Sequence, residues 1–148
     1  MMRTLFLALL LVGCATNGPL PYGNQLNNPT AQALNHAIAA DTVKKLVALY
    51  PPAGTTIVLK QVATDDFGGS LVGLLRTQGY AILEFNPTTD APAKEAPNPA
   101  ISLNYIIDQV PSMALYRATL FINGQPLSRV YTADNGVLQP AGSWVRKE

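Results

Sequence analysis

The sequence predicts an α+β domain: a small mixed or antiparallel sheet, made of a β-α-β unit followed by a β-meander, packed with two helices. Three observations carry this expectation. Residues 29–50 place apolar side chains at helical spacing. Residues 55–85 read as strand, helix, strand, with a glycine stop after the helix. From residue 101 onward, apolar and polar residues alternate in runs separated by Asn-Gly and Asp-Asn-Gly turns.

Ahead of that domain stands a secretory signal. Met1-Met2-Arg3-Thr4 is a short basic region, Leu5 to Val12 an apolar run, and Gly13 a small residue suited to a peptidase site. The run is far shorter than the ~20 apolar residues of a spanning helix. Leu11-Val12-Gly13-Cys14 reads as a lipobox, with cleavage between Gly13 and Cys14 and lipid on the sulfur. Cys14 is the single cysteine, and an unpaired cysteine in a secreted chain calls for an explanation that lipidation supplies. Three acyl chains would make the anchor effectively permanent, since two membrane signals already hold stably. By the general sorting rule of bacterial lipoproteins, Ala15, standing where an Asp would retain the protein at the inner membrane, points to the outer membrane.

The expected organisation is therefore a signal peptide over residues 1–13, a flexible tether over 14–28 and a single α+β domain over 29–148. The tether is rich in Gly, Pro and Asn and has no apolar period. It is either a spacer or a segment that orders against a neighbouring subunit, with Leu20, Pro21 and Tyr22 as its anchors.

Asn28 and Pro29 suit the N-cap and first position of a helix. Leu34, Ile38, Thr42, Leu46, Leu49 and Tyr50 form its stripe, and Pro51-Pro52 ends it. After the Ala53-Gly54 turn, residues 55–60 are β-branched and short, a strand. Thr64 or Asp65 caps a second helix with the stripe Phe67, Leu71, Leu74, Leu75. Gly68, Gly69 and Gly73 weaken this helix by up to ~1 kcal/mol each, so close approach to the sheet is expected to hold it. Gly79 fits a left-handed stop, with Tyr80 folding back, and residues 81–85 return as a strand. Residues 86–99, with four prolines, exceed an ordinary connection and form a functional or a mobile loop, read here as mobile. Ile101, Leu103, Tyr105 and Ile107 alternate with Ser102, Asn104 and Asp108 in a half-buried strand. Pro111-Ser112 turns into a strand over 113–122. Asn123-Gly124 is a type I′ hairpin signal, after which Pro126 must sit where the ladder needs no donor. Residues 127–132 return, residues 134–136 turn, residues 137–140 continue irregularly, and residues 142–147 form a short terminal strand or arm.

The chemistry of sites is sparse. The single histidine, His36, lies off the first helix's stripe with no partner cluster, and reads as solvated. No Gly-x-Ser-x-Gly elbow occurs, and neither a metal-ligand cluster nor a cofactor motif is present. No enzyme activity is expected. With Arg3 removed in the signal, Lys+Arg falls from 10 to 9 against 9 Asp+Glu, so no long-range field favours nucleic acid. Charged residues are 13% of the chain, about half the usual share, which favours surface buried against partners. Arg117, Arg129 and Arg146 fall on neighbouring strands. They are solvated, or paired across strands with carboxylates, or else contact another subunit, where arginine is enriched. Trp144 joins them as a candidate interface residue.

The ordered set of Cys14, Leu49-Tyr50-Pro51-Pro52-Ala53, Asp66-Phe67 through Gly79-Tyr80, Tyr116-Arg117, Leu127 to Tyr131 and Pro140 to Glu148 resembles the conjugal-transfer lipoprotein family TrbH. The resemblance implies a structural or assembly lipoprotein of the outer membrane, facing the periplasm. Its place would be the mating-pair-formation core complex, a type IV secretion system that transfers plasmid DNA. Its expected partners are the other core-complex subunits, the ring-forming channel proteins, and the outer membrane through its lipid. The fold would be similar to secretin N0 and DotD-type domains. The family offers no catalytic residue. The alternative is an envelope lipoprotein that binds lipid or lipopolysaccharide, or acts in entry exclusion.

Overall fold

The structure, a computed structural model, describes residues 21–26, 31–88, 99–110 and 112–147. The expected N-cap Asn28 and Pro29, and most of the long loop before residue 99, lie outside the described residues.

Helix α1 (Ala31–Leu49) buries Leu34, Ile38, Thr42 and Leu46 as its spacing predicts, together with Ala31, Asn35, Ala39 and Val43. Leu49, expected on that stripe, is 39% exposed. At the last turn Tyr50 turns inward instead, and its carbonyl accepts a hydrogen bond from the Tyr80 hydroxyl at 2.5 Å. Strand β2 (Thr56–Leu59) is flanked on both sides and buried along its whole length.

Asp65 caps helix α2 (Asp66–Thr77), its Oδ1 accepting from Gly68 N at 2.8 Å. At the other end Gly79, at φ +91°, donates to Arg76 O at 2.9 Å, and Tyr80 N donates to Leu75 O at 3.2 Å. Those two bonds are the paired closures of a Schellman stop, which the buried Tyr80 and Leu75 side chains complete. Of the three glycines expected to approach the sheet, one does. A Cβ on Gly68 would lie 2.3 Å from the Tyr105 hydroxyl, whereas one on Gly69 or Gly73 meets nothing within 4 Å. Strand β3 (Ala81–Leu83) is shorter than the expected 81–85 and forms an exposed edge.

The last third is the expected meander, lengthened. Strand β4 (Ala100–Val110) buries Ile101, Leu103, Tyr105 and Ile107. Ser112 takes φ 64° and Met113 N bonds Val110 O. Met113 therefore belongs to the turn, and β5 (Leu115–Ile122) starts two residues later than expected. Asn123 and Gly124 take φ 51° and 78°, the two positive values of a type I′ turn. Asn123 Oδ1 also accepts from Ser102 N at 2.8 Å, tying the hairpin to β4. In β6 (Gln125–Asp134) the Pro126 carbonyl accepts from Lys147 N, so its polar backbone edge faces away from β5, where no donor is missed. Residues 137–140, expected to be irregular, form β7 (Val137–Pro140). Asn135 and Gly136, at φ 50° and 77°, make a second hairpin by the same chemistry. Strand β8 (Val145–Arg146) closes the chain as expected.

Residues 21–26, expected to be tether, belong to the sheet instead. Strand β1 (Gly23–Asn24) pairs in parallel with Ile106 and Ile107 of β4, Gln25 N bonds Ile107 O at 2.7 Å, and Leu26 is buried in the core. The free second half of β4's edge supplies the bonds: β2 occupies only residues 100–103 of it.

Among the described residues eight strands join in one mixed sheet, ordered β3-β2-β4-β5-β6-β7, with β1 beside β2 on β4's edge and β8 beside β7 on β6's. The pairs on β2 and β1 are parallel, and those from β4 onward antiparallel. The core lies between one face of this sheet and the two helices. Tyr105, Tyr131, Phe67 and the aliphatic residues around them are fully buried, each such side chain stabilising the fold by about 1.5–3 kcal/mol.

Candidate functional site

Cys14, Gly13 and Leu20 lie outside the described residues. The remaining candidates fall into two groups on opposite faces of the sheet. The hairpin register decides this. Arg117 is paired with Val130, and Arg129 with Ala118, so the two arginines alternate across the pleat.

On the face away from the helices, Arg117 grips Asp108, its cross-strand neighbour: Nε to Oδ1 at 3.0 Å and Nη2 to Oδ2 at 2.5 Å. That carboxylate holds the guanidinium still further above its ordinary pKa. Asp108, expected to point to solvent, is 5% exposed. A charge so withdrawn needs a partner, and the two-pronged arginine supplies it. Tyr22 lies on the same face, and the exposed Pro21 precedes it. Tyr22 sets its ring edge-on to Phe121 of β5, centroids 5.3 Å apart.

On the helix side, Arg129 Nη1 donates to both oxygens of Asp41 in α1, at 3.0 and 2.9 Å, and Nε to Gly142 O at 2.8 Å. The fully buried Tyr131 donates its hydroxyl to Asp41 Oδ2 at 2.8 Å. Burial first, then that hydrogen bond, pushes the Tyr131 hydroxyl far above its ordinary pKa. Arg146 Nη2 reaches the Tyr50 hydroxyl at 3.2 Å, and Trp144 is half-buried against the core. The arm from Gly142 to Arg146 is thus held to β6 by strand pairing and by Arg129, and pinned to the Tyr50 hydroxyl just past α1. Of the roles open to the three arginines, Arg117 takes the cross-strand pair, Arg129 pairs with a helix carboxylate, and Arg146 bonds a phenol.

Asp41 was not singled out in the sequence, and Asp65 only as a helix cap. Each receives the hydroxyl of a fully buried tyrosine, Asp65 that of Tyr105 at 2.7 Å. Asp41 stands between Ile38 and Thr42 of the helix stripe, which is its only local signal. Its arginine is 88 residues away.

Among the described residues, two surfaces stand open besides the β3 edge. One is the sheet face opposite the helices, which no described helix covers. It presents Tyr22, Val137 and Val145, 53%, 58% and 64% exposed. The second is an apolar groove between α1 and α2, about 320 Å³, lined by Ala40, Val43, Lys44, Val47, Leu74 and Gln78. The lipid-binding alternative asked for a cavity between helix and sheet or for an exposed patch; this groove is open and lies between the helices. Among the described residues there is no cluster of three metal-ligating side chains, and no helix is long and apolar enough to cross a membrane. His36 is exposed on α1. What the described side chains can do is hold surfaces together by burial, arginine contacts and strand edges.

Comparison with curated proteins and with solved structures returns no match. The similarity to secretin N0 and DotD-type domains therefore stays an expectation of the sequence. One family model matches, described as the conjugal transfer protein TrbH, over residues 19–148. That span takes in β1, both helices and every strand of the meander, and by it the chain belongs to the TrbH family of conjugal transfer proteins.

Proposed function

We propose that this protein is a lipid-anchored structural subunit of a conjugative type IV secretion core complex at the outer membrane, facing the periplasm, and not an enzyme. The observation that carries the reading is the family match over residues 19–148. The Leu11-Val12-Gly13-Cys14 motif supports the anchor. The exposed edge strand β3 and the free sheet face, whose central Arg117–Asp108 charges are paired within the chain, support an assembly role, because unpaired strand edges and surfaces without unpaired central charges bind protein surfaces. In this reading the sheet packs beside a ring-forming channel subunit while Cys14 holds the chain to the bilayer. A Cys14→Ser chain is expected to leave the membrane fraction and to lower plasmid transfer. A Cys14→Ser chain that stays membrane-bound and transfers at the wild-type frequency refutes the proposal.

A further inference from the structure

Strand β3 is an edge of the sheet, and the bonds of its neighbour show which of its backbone groups stand free. Thr56 N bonds Pro99 O and Lys60 N bonds Leu103 O, so Thr56, Val58 and Lys60 turn their peptide groups to β4. Ile57 and Leu59 therefore turn theirs to β3. In the parallel register of Ile57 with Ile82 they meet Ala81 and Leu83. Ile82 is left with both its N–H and its C=O outward, flanked by the Tyr80 carbonyl and the Glu84 N–H, and no described residue bonds them.

The opposite edge is built otherwise. Ala141 N bonds Val130 O, so in β7 it is Leu138 and Pro140 that face outward. The proline withholds a donor there, a recognised guard against strand pairing. Strand β3 carries neither proline nor lysine. Leu83 and Phe85 beside its edge are exposed. Glu84 and Phe85, strand-like in sequence, pair with nothing in β2, whose last bridge to β3 is Val58 with Leu83. The one carboxylate here, Glu84, is taken up by Arg76 of α2.

We propose that β3 is the docking edge for a second copy of this chain, the two β3 strands running antiparallel about a two-fold axis at Ile82. The proposal names the occupant of the edge and holds whether or not Cys14 carries lipid. The edge matches itself. An axis at Ile82 lets the two Ile82 residues exchange N–H and C=O, and brings each Glu84 N–H to the Tyr80 carbonyl of the other copy. Every outward group is used, and Tyr80 N keeps its bond to Leu75 O. On the open face large side chains meet small ones. Leu83 stands beside Ala81 of the second copy, and Phe85 reaches the turn at its Gly79, where an added Cβ would meet nothing within 4 Å. On the helix side Ile82, half-buried against the core, covers its own counterpart. The two Glu84 carboxylates, each held by its own Arg76, lie about 14 Å apart, beyond the Debye length of about 8 Å at physiological salt. An axis one residue later, at Leu83, would set Glu84 against the apolar Ile82. A strand of another protein would not require the edge to complement itself.

Disulfide cross-linking of the full chain in cell envelopes tests the register. At the axis the Ile82 Cα atoms are about 5.5 Å apart, within disulfide reach. Residues 81 and 83 stand about 8 Å from their own counterparts, too far. Under mild oxidation Ile82→Cys is expected to form homodimers several-fold faster than Ala81→Cys or Leu83→Cys. The unsubstituted chain, with Cys14 as its single cysteine, sets the background, and its membrane fractionation tests the lipid reading separately. Adding Leu83→Lys, an edge charge at an exposed position, to the Ile82→Cys chain is expected to cut the cross-link at least fivefold while far-ultraviolet circular dichroism stays unchanged. Equal yields at residues 81, 82 and 83, or the highest yield at 83, overturn the proposal. So does an Ile82→Cys cross-link that Leu83→Lys leaves intact, or one that joins residue 82 only to a different protein.

Discussion

Gly68 offers the sharpest test of how α2 is seated. Substitution by alanine in an exposed helix gains up to ~1 kcal/mol from propensity. Gly69 and Gly73 have open space around them, so Gly69→Ala and Gly73→Ala are expected to stabilise the chain by about 0.5–1 kcal/mol each. At Gly68 the new methyl would stand 2.3 Å from the Tyr105 hydroxyl and 2.7 Å from the Ala63 carbonyl oxygen. The second obstacle is backbone and cannot swing aside. Overpacking of this kind costs about 1–3 kcal/mol. Displacing Tyr105 also weakens its hydrogen bond to the Asp65 carboxylate, worth about 1.5–3 kcal/mol. After the propensity gain, Gly68→Ala is expected to destabilise the chain by about 2–4 kcal/mol. Urea unfolding followed by far-ultraviolet circular dichroism measures all three variants. A Gly68→Ala chain as stable as Gly69→Ala would refute the close approach of α2 to β4.

Other perturbations separate the remaining contacts. Asp41→Ala leaves Arg129 and the Tyr131 hydroxyl without their shared carboxylate and is expected to cost about 2–4 kcal/mol in urea unfolding; a loss within 0.5 kcal/mol, the range of an unimportant surface change, would deny the cluster a structural role. Asn123→Ala removes both a positive-φ turn residue and the acceptor of Ser102 N, for an expected loss of about 1–2 kcal/mol. Alkaline pH is a third lever. Tyr105 and Tyr131 keep their protons in the folded chain because burial, and then their carboxylate partners, raise their pKa values. Their contribution to stability is whole below the unfolded-state value near about 10 and falls as pH climbs above it. Unfolding is therefore expected to grow easier above that pH, with tyrosinate absorbance from these two residues appearing only as the chain unfolds. Their titration in the still-folded chain, before any loss of ellipticity, would contradict the account.

What the sequence made legible follows from how local the cause is. Asn123-Gly124 and the Gly79 stop each act within four or five residues, so they could be read directly. The β-α-β unit showed in its periodicity. Strand β1 could not be seen this way: two residues, one of them Gly23, carry no period, and their place depends on the edge that β2 leaves free on β4. Residues 137–140 hid because Pro140 suggested irregularity, although Asn135-Gly136 repeats the hairpin chemistry that was recognised twelve residues earlier. The opposite faces of Arg117 and Arg129 were within reach, since a two-residue turn at 123–124 already pairs residue 117 with 130. The partners of the arginine side chains were not all so near. Asp108 follows once the β4–β5 register is known, while Asp41 lies on a helix whose seat on the sheet is set by the whole core.

Intact mass analysis of the chain extracted from the envelope bears most directly on the central claim. The account predicts an N-terminus at Cys14 bearing a diacylglyceryl thioether, with an acyl chain on its amine. A mature product with a free thiol at Cys14, recovered from the soluble periplasmic fraction, would contradict it.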